Sequence, residues 1–117
     1  MTKQVYYHNP RCSKSRQGLQ LLEENGVTPT VKLYLKEGLS QSEFKKIVKM
    51  TGLAPLEGLI RTKEATFKEL GLKGQELSVA DWAKILSENP VLLERPIFVN
   101  GDVAKIGRPP EDMLQIV

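Results

Sequence analysis

The first 35 residues change hydrophobic period twice. "KQVYYH", residues 3–8, is β-branched and aromatic and stops at Asn9-Pro10, as a short strand does. From Ser13 to Glu24, apolar Leu19, Leu21 and Leu22 stand among polar neighbours and Asn25-Gly26 follows, which predicts a helix with its stop signal. "TVKLYL", residues 30–35, then alternates apolar and polar at the strand period. Strand, helix and strand joined by short turns make a βαβ unit, whose crossover is expected to be right-handed.

The middle of the chain reads as helical. Ser40 to Glu43 is a capping-box pattern ahead of a helix with Phe44, Ile47 and Val48 on one face, and Ser78 to Asp81 repeats it ahead of "WAKILSEN". Between them, residues 55–60 and 64–70 read as two shorter helices, and Trp82, Ile85 and Leu86 read as core. The last third returns to strands. "PIFV", Asn100-Gly101 and "VAKI" spell a hairpin with a type I′ turn, and Pro109-Pro110 opens a final helix, "PEDMLQIV". The order β-α-β, helices, β-β-α predicts an α/β chain with the thioredoxin-like fold and a mixed four-stranded sheet. It reads as a single domain, residues 1–117, with a helical insertion at about 40–90.

At 117 residues such a domain can bury one core without metals or disulfides. The net charge of +3 suits a small anionic ligand and is too weak to argue for nucleic acid. Neither a signal-peptide core nor a membrane-length apolar run appears. With one cysteine as well, the expectations are a reducing, cytoplasmic setting, no membrane or nucleic-acid partner, and a monomer.

That cysteine stands in "YYHNPRCSKSR", Tyr6 to Arg16, which also holds the only histidine, His8. Cys12 falls between the first strand and the first turn of the helix, where backbone N–H groups lack partners and the helix dipole favours negative charge. A thiol so placed can titrate at about 3.5–7.5 instead of about 8.5. The N–H groups near Ser13 and Lys14 suit an oxyanion for the same reason. Arg11, Lys14 and Arg16 add positive charge, Arg16 one helical turn beyond Cys12. His8 either satisfies a backbone group at the strand end or supports the thiolate electrostatically or by a hydrogen bond. Cys12 to Ser15 is C-x-x-S, so any resolving thiol comes from another molecule. Cys12 to Arg16 is C-x3-R, two residues too short for a tyrosine-phosphatase loop.

Lysines outnumber arginines twelve to five. Arg95 and Arg108 each precede a proline, which holds them extended at turns, and guanidinium forks grip tetrahedral oxyanions as lysine cannot. In the expected fold both bracket the last hairpin at the end of the sheet that carries the cysteine loop.

"YHNPRCSKSR", "LIRTKE", "ERPIFV" and "IGRPP", in this order and spacing, resemble the glutaredoxin-coupled arsenate reductases (ArsC family). The similarity covers essentially the whole chain and is greatest to the short, YfgD-like members. The resemblance implies the thioredoxin-like fold, Cys12 as nucleophile, His8 as thiolate support, Arg61, Arg95 and Arg108 as arsenate ligands, and a cis bond before Pro96. It leaves Ser15 and Arg16 as auxiliary candidates. It further implies arsenate as substrate, glutathione as co-substrate, glutaredoxin as partner, and no metal or bound cofactor. Two alternatives share the motifs or the fold. One is glutathione-dependent chemistry on another oxyanion or a mixed disulfide. The other is a regulatory binding protein like the Spx transcription regulators, against which Ser15 stands where their second switch cysteine would be.

Overall fold

The computed structural model describes residues 3–117; Met1 and Thr2, at the head of the 1–117 domain assignment, lie outside them. The chain forms two compact units. One runs to Glu37 and resumes at Arg95–Val117, and the other is Gly38–Glu94.

The first unit is an α/β layer built on a four-stranded mixed sheet, order β2-β1-β3-β4. Its strands are β1 (Gln4–Tyr7), β2 (Thr30–Lys32), β3 (Ile97–Asn100) and β4 (Val103–Ile106). β1 runs parallel to β2 and antiparallel to β3, and β3 pairs antiparallel with β4. Helix α1 (Ser13–Glu24) joins β1 to β2 over the span that the sequence indicates. Its buried Leu22 packs with Tyr6, Val27, Phe98 and Met113, the last from a 3-10 helix over Pro110–Ile116. The final helix is therefore present, but with the tighter 3-10 winding.

Gly18 sets how closely α1 lies on the sheet. A Cβ there would stand 2.5 Å from the Tyr6 hydroxyl, 2.8 Å from Met113 Cε and 3.2 Å from Pro96 Cγ. The Tyr6 hydroxyl cannot retreat freely, because it donates to the Ser15 carbonyl at 2.6 Å. Crowding of this kind costs about 1–3 kcal/mol, which outweighs the ~1 kcal/mol that alanine gains over glycine as a helix former. Gly18→Ala is accordingly expected to lower the melting temperature, as a thermal unfolding scan would read.

Two further local expectations are corrected in this unit. The strand read over residues 30–35 ends at Lys32, and Tyr34–Glu37 forms a short helix, α2. The Glu37 carboxylate accepts the Leu33 N–H at 2.8 Å and the Leu33 carbonyl accepts the Lys36 and Glu37 N–H groups, so local bonds capture this segment before it can extend the ladder. The hairpin turn is also different. Asn100 pairs with Val103, which makes Gly101 and Asp102 the central residues. Only Gly101 has positive φ (66°), which excludes type I′ and fits the II′ pattern.

The second unit is helical. Both capping boxes form: Ser40 opens α3 (Gln41–Thr51), and Ser78 opens α5 (Val79–Glu88). Each such cap is worth about 1 kcal/mol. Phe44 and Ile47 of α3 and Trp82 and Leu86 of α5 are buried where these helices pack, while Val48 and Ile85 are half-buried. The two helices read between them shrink to a single 3-10 turn, Pro55–Glu57, and α4 (Ala65–Glu69), whose Phe67 ring stacks on Trp82.

Candidate active site

Strand register assembles the site within the first unit. Tyr7 pairs with Ile97 and Ile97 with Ile106, so the end of β1, the start of β3 and the end of β4 share one edge. The next residues outward from those ends are His8 to Cys12, Arg95-Pro96 and Gly107-Arg108. The Gly107 N–H donates to the Pro96 carbonyl at 2.9 Å, which ties the two arginine segments together. The bond before Pro96 is cis, as the resemblance implies, and so is the bond before Pro109, which nothing in the sequence reading signalled.

Cys12 is half-buried and is the N-cap residue of α1. Arg108 Nη2 lies 3.6 Å from its sulfur, while Arg108 Nε donates to the Arg95 carbonyl at 2.7 Å. One backbone group of Arg95 thus fixes the guanidinium of Arg108. Burial pushes the Cys12 thiol up, but the Ser15 N–H, the Arg95 side chain as hydrogen-bond donor, the Lys14 N–H and the Arg95 charge together hold it below the ordinary thiol range. The sulfur does not close a cap bond as a serine oxygen would. The N–H groups that act on it are those of Lys14 and Ser15. The two arginines contribute differently. Arg95, partly buried, lowers the thiol pKa, whereas Arg108 is exposed and its charge is screened by water.

The lowered pKa has a direct consequence. Only the thiolate is alkylated, so the rate of Cys12 modification by iodoacetamide should rise with pH and level off below the range of an unperturbed thiol. Intact-mass measurement between about pH 5 and pH 10 reads the inflection. An inflection at the ordinary thiol value would mean that Arg95 and the helix end do not act on the sulfur.

The remaining candidates have polar partners of their own. The His8 ring, which the resemblance gives as thiolate support, puts Nδ1 2.7 Å from Ser15 Oγ, and its pKa is lowered by burial and then by the Arg16 charge. A neutral ring brings no positive charge to the sulfur. Arg16 Nη1 donates to the Pro10 carbonyl at 2.7 Å and so braces the loop. Ser15, the auxiliary candidate, is fully buried at the centre of this network. Arg61 belongs to the helical unit, where Nη1 pairs with Glu94 at 2.8 Å and Nε with Glu64 at 3.3 Å.

Sequence reading missed Asn9 and Tyr6. Asn9 is buried, its Oδ1 accepts the Arg11 N–H and its carbonyl accepts the Cys12 N–H, which shapes the turn carrying the cysteine. Asn before Pro is a turn signal, and its reach to Arg11 is an ordinary Asx turn. Among the described residues, no group of three or more His, Cys, Asp or Glu could hold a metal ion, and no helix is long and apolar enough to cross a membrane.

The sequence profile of the ArsC family matches residues 7–116, which includes every residue of this site except Tyr6. The chain belongs to the ArsC family. A Haemophilus influenzae protein named arsenate reductase is 47% identical over 113 residues, 97% of either chain. Escherichia coli YfgD is 48% identical over 118 residues, spanning 100% of this chain and 99% of its own. The solved structure of an arsenate reductase from Vibrio cholerae superposes with a TM-score of 0.93 at 42% identity, covering 99% of this chain and 98% of that one. These ArsC relatives have the thioredoxin-like α/β fold inferred from the order of elements.

Proposed function

We propose that this protein reduces arsenate to arsenite, with Cys12 as nucleophile and glutathione and glutaredoxin as the source of electrons. The observation that carries the reading is a single thiol, its pKa held down, with two arginine side chains on its sulfur. Arsenate is a tetrahedral oxyanion that guanidinium forks fit. Its arsenic is open to attack by a thiolate that Arg95 helps keep ionised. The arsenate reductases among the relatives support the substrate.

In the proposed sequence the Cys12 thiolate attacks arsenic(V) and an arsenate oxygen leaves as water, taking two protons. Arg95 and Arg108 stabilise the charge that gathers on the remaining oxygens. Glutathione then displaces a second oxygen as water. A glutaredoxin thiolate attacks the glutathione sulfur, forms a mixed disulfide and leaves two electrons on arsenic, now arsenic(III). Water releases arsenite from Cys12 and regenerates the thiol. The chain offers no second cysteine to replace glutaredoxin in this step. Arg95 and Arg108 are the anion ligands that the first unit supplies to this scheme; Arg61, the third ligand that the resemblance implies, belongs to the other unit and pairs there with Glu64 and Glu94.

The test is arsenate-dependent NADPH oxidation with glutathione, glutaredoxin and glutathione reductase, each left out in turn. Turnover should need all three. Turnover that persists when thioredoxin and its reductase replace them would overturn the electron source and keep the substrate. Turnover with a different oxyanion or a mixed disulfide, and none with arsenate, would overturn the substrate.

A further inference from the structure

The hydroxyl of Ser15 is absent from the scheme above, yet it is among the most tightly engaged atoms near the cysteine. Ser15 is completely buried, one helical turn after Cys12. Its Oγ accepts the Asn9 N–H at 3.0 Å and lies 2.7 Å from His8 Nδ1. Its carbonyl accepts the Tyr6 hydroxyl at 2.6 Å, and its own N–H acts on the Cys12 sulfur. The three contacts to Tyr6, His8 and Asn9 therefore join the end of β1 to the first turn of α1, which Cys12 caps.

The directions of these bonds follow from counting protons. A serine hydroxyl has one proton to give. Oγ accepts from Asn9 and has a second lone pair, so it is the lack of another acceptor beside it among the described residues that sends this proton to Nδ1 of a neutral His8 protonated on Nε2. The contacts to His8 and Asn9 also bridge the two ends of the Pro10–Lys14 segment, which carries Cys12 between them.

We propose that Ser15 is a positioning residue for the reaction: its hydroxyl, pinned between the Asn9 N–H and His8 Nδ1, ties the first turn of α1 to the end of the preceding strand and so fixes where Cys12 stands at the helix start. His8 then acts on the thiolate through Ser15. The inference rests on Cys12 being the reacting thiolate and says what keeps it so. The guanidiniums of Arg95 and Arg108 and the Lys14 N–H also act on the sulfur, and its charge raises the Tyr6 pKa. None of them is altered by the variants below.

The experiment measures iodoacetamide alkylation of Cys12 against pH in Ser15→Ala, His8→Ala, the double variant and His8→Asn, with circular dichroism to establish folding. It needs no arsenate, so its failure is separable from failure of the proposed activity. Ser15→Ala and His8→Ala should each shift the inflection upward and slow alkylation at neutral pH by roughly three- to tenfold, the scale of one lost hydrogen bond. The double variant should be no worse than the poorer single one, because both remove the same link. His8→Asn, whose amide can reach the position of Nδ1, should restore the wild-type profile. A folded Ser15→Ala protein with an unchanged profile would overturn the proposal, as would additive single effects. Should Ser15→Ala not fold, His8→Asn and His8→Ala carry the test, and identical profiles for those two would overturn it.

Discussion

Cys12→Ser is expected to bring arsenate-dependent turnover to the background of the coupled assay while leaving the fold intact. The substitution exchanges sulfur for oxygen at a half-buried position, so packing changes little. What changes is ionisation. The Ser15 and Lys14 N–H groups and the Arg95 guanidinium lower the pKa of a thiol that begins within reach of neutral pH. An alcohol starts several units higher and stays protonated under the same influences. Without an anion there is no attack on arsenic, and no other cysteine in the chain can take over. Turnover retained in a folded Cys12→Ser protein would mean that the reaction does not pass through this residue.

Arg95 should have the second largest effect, because its guanidinium does two jobs. It lowers the Cys12 pKa by hydrogen bond and by charge, and in the proposed scheme it grips the arsenate oxygens. Arg95→Ala keeps the backbone carbonyl that anchors Arg108 Nε. The loss therefore isolates the side chain. We expect kcat/KM to fall by about 10²–10³, the range for one lost oxyanion donor. The sign of the pH effect is fixed as well. Removing a group that lowers the thiol pKa moves the inflection of the alkylation profile to higher pH. Arg95→Lys should recover much of that inflection, since the charge remains, but much less of kcat/KM, since the fork is gone. Equal recovery of both would show that charge alone is what Arg95 supplies. Arg108→Ala should move the inflection less than Arg95→Ala, because Arg108 is exposed.

The fold was legible in the sequence where local signals coincide. The bounds of α1, the two serine-led capping boxes and the Asn-Gly hairpin each rest on residues within a few positions of one another. Alternation failed at residues 30–35 because a carboxylate four residues on, Glu37, captured the Leu33 N–H, which a two-residue period cannot register. The turn type failed for a related reason. Asn-Gly marks a reversal, but cross-strand register decides which pair sits at its centre, and here the pair is Gly101 and Asp102.

The site divides in the same way. Cys12 was legible from its place at a helix start, and Arg95 and Arg108 from the prolines after them. Their convergence needed the sheet register, which brings together the ends of β1, β3 and β4. The attachment of His8 to Ser15 was not legible, because both a bond to the thiolate and a bond to a neighbour suit a histidine at a strand end. Nor were the carboxylates on Arg61: Glu64 is nearby in sequence, but Glu94 reaches it from 33 residues away.

The most direct test of the central claim is the fate of the arsenic itself. Arsenate is supplied to the wild-type protein with glutathione, glutaredoxin, glutathione reductase and NADPH, and arsenate and arsenite are then separated and quantified alongside the NADPH consumed. The account predicts one arsenite formed for each NADPH oxidised. A protein whose Cys12 alkylates as a thiolate at neutral pH, yet leaves arsenate unreduced under these conditions, would contradict it.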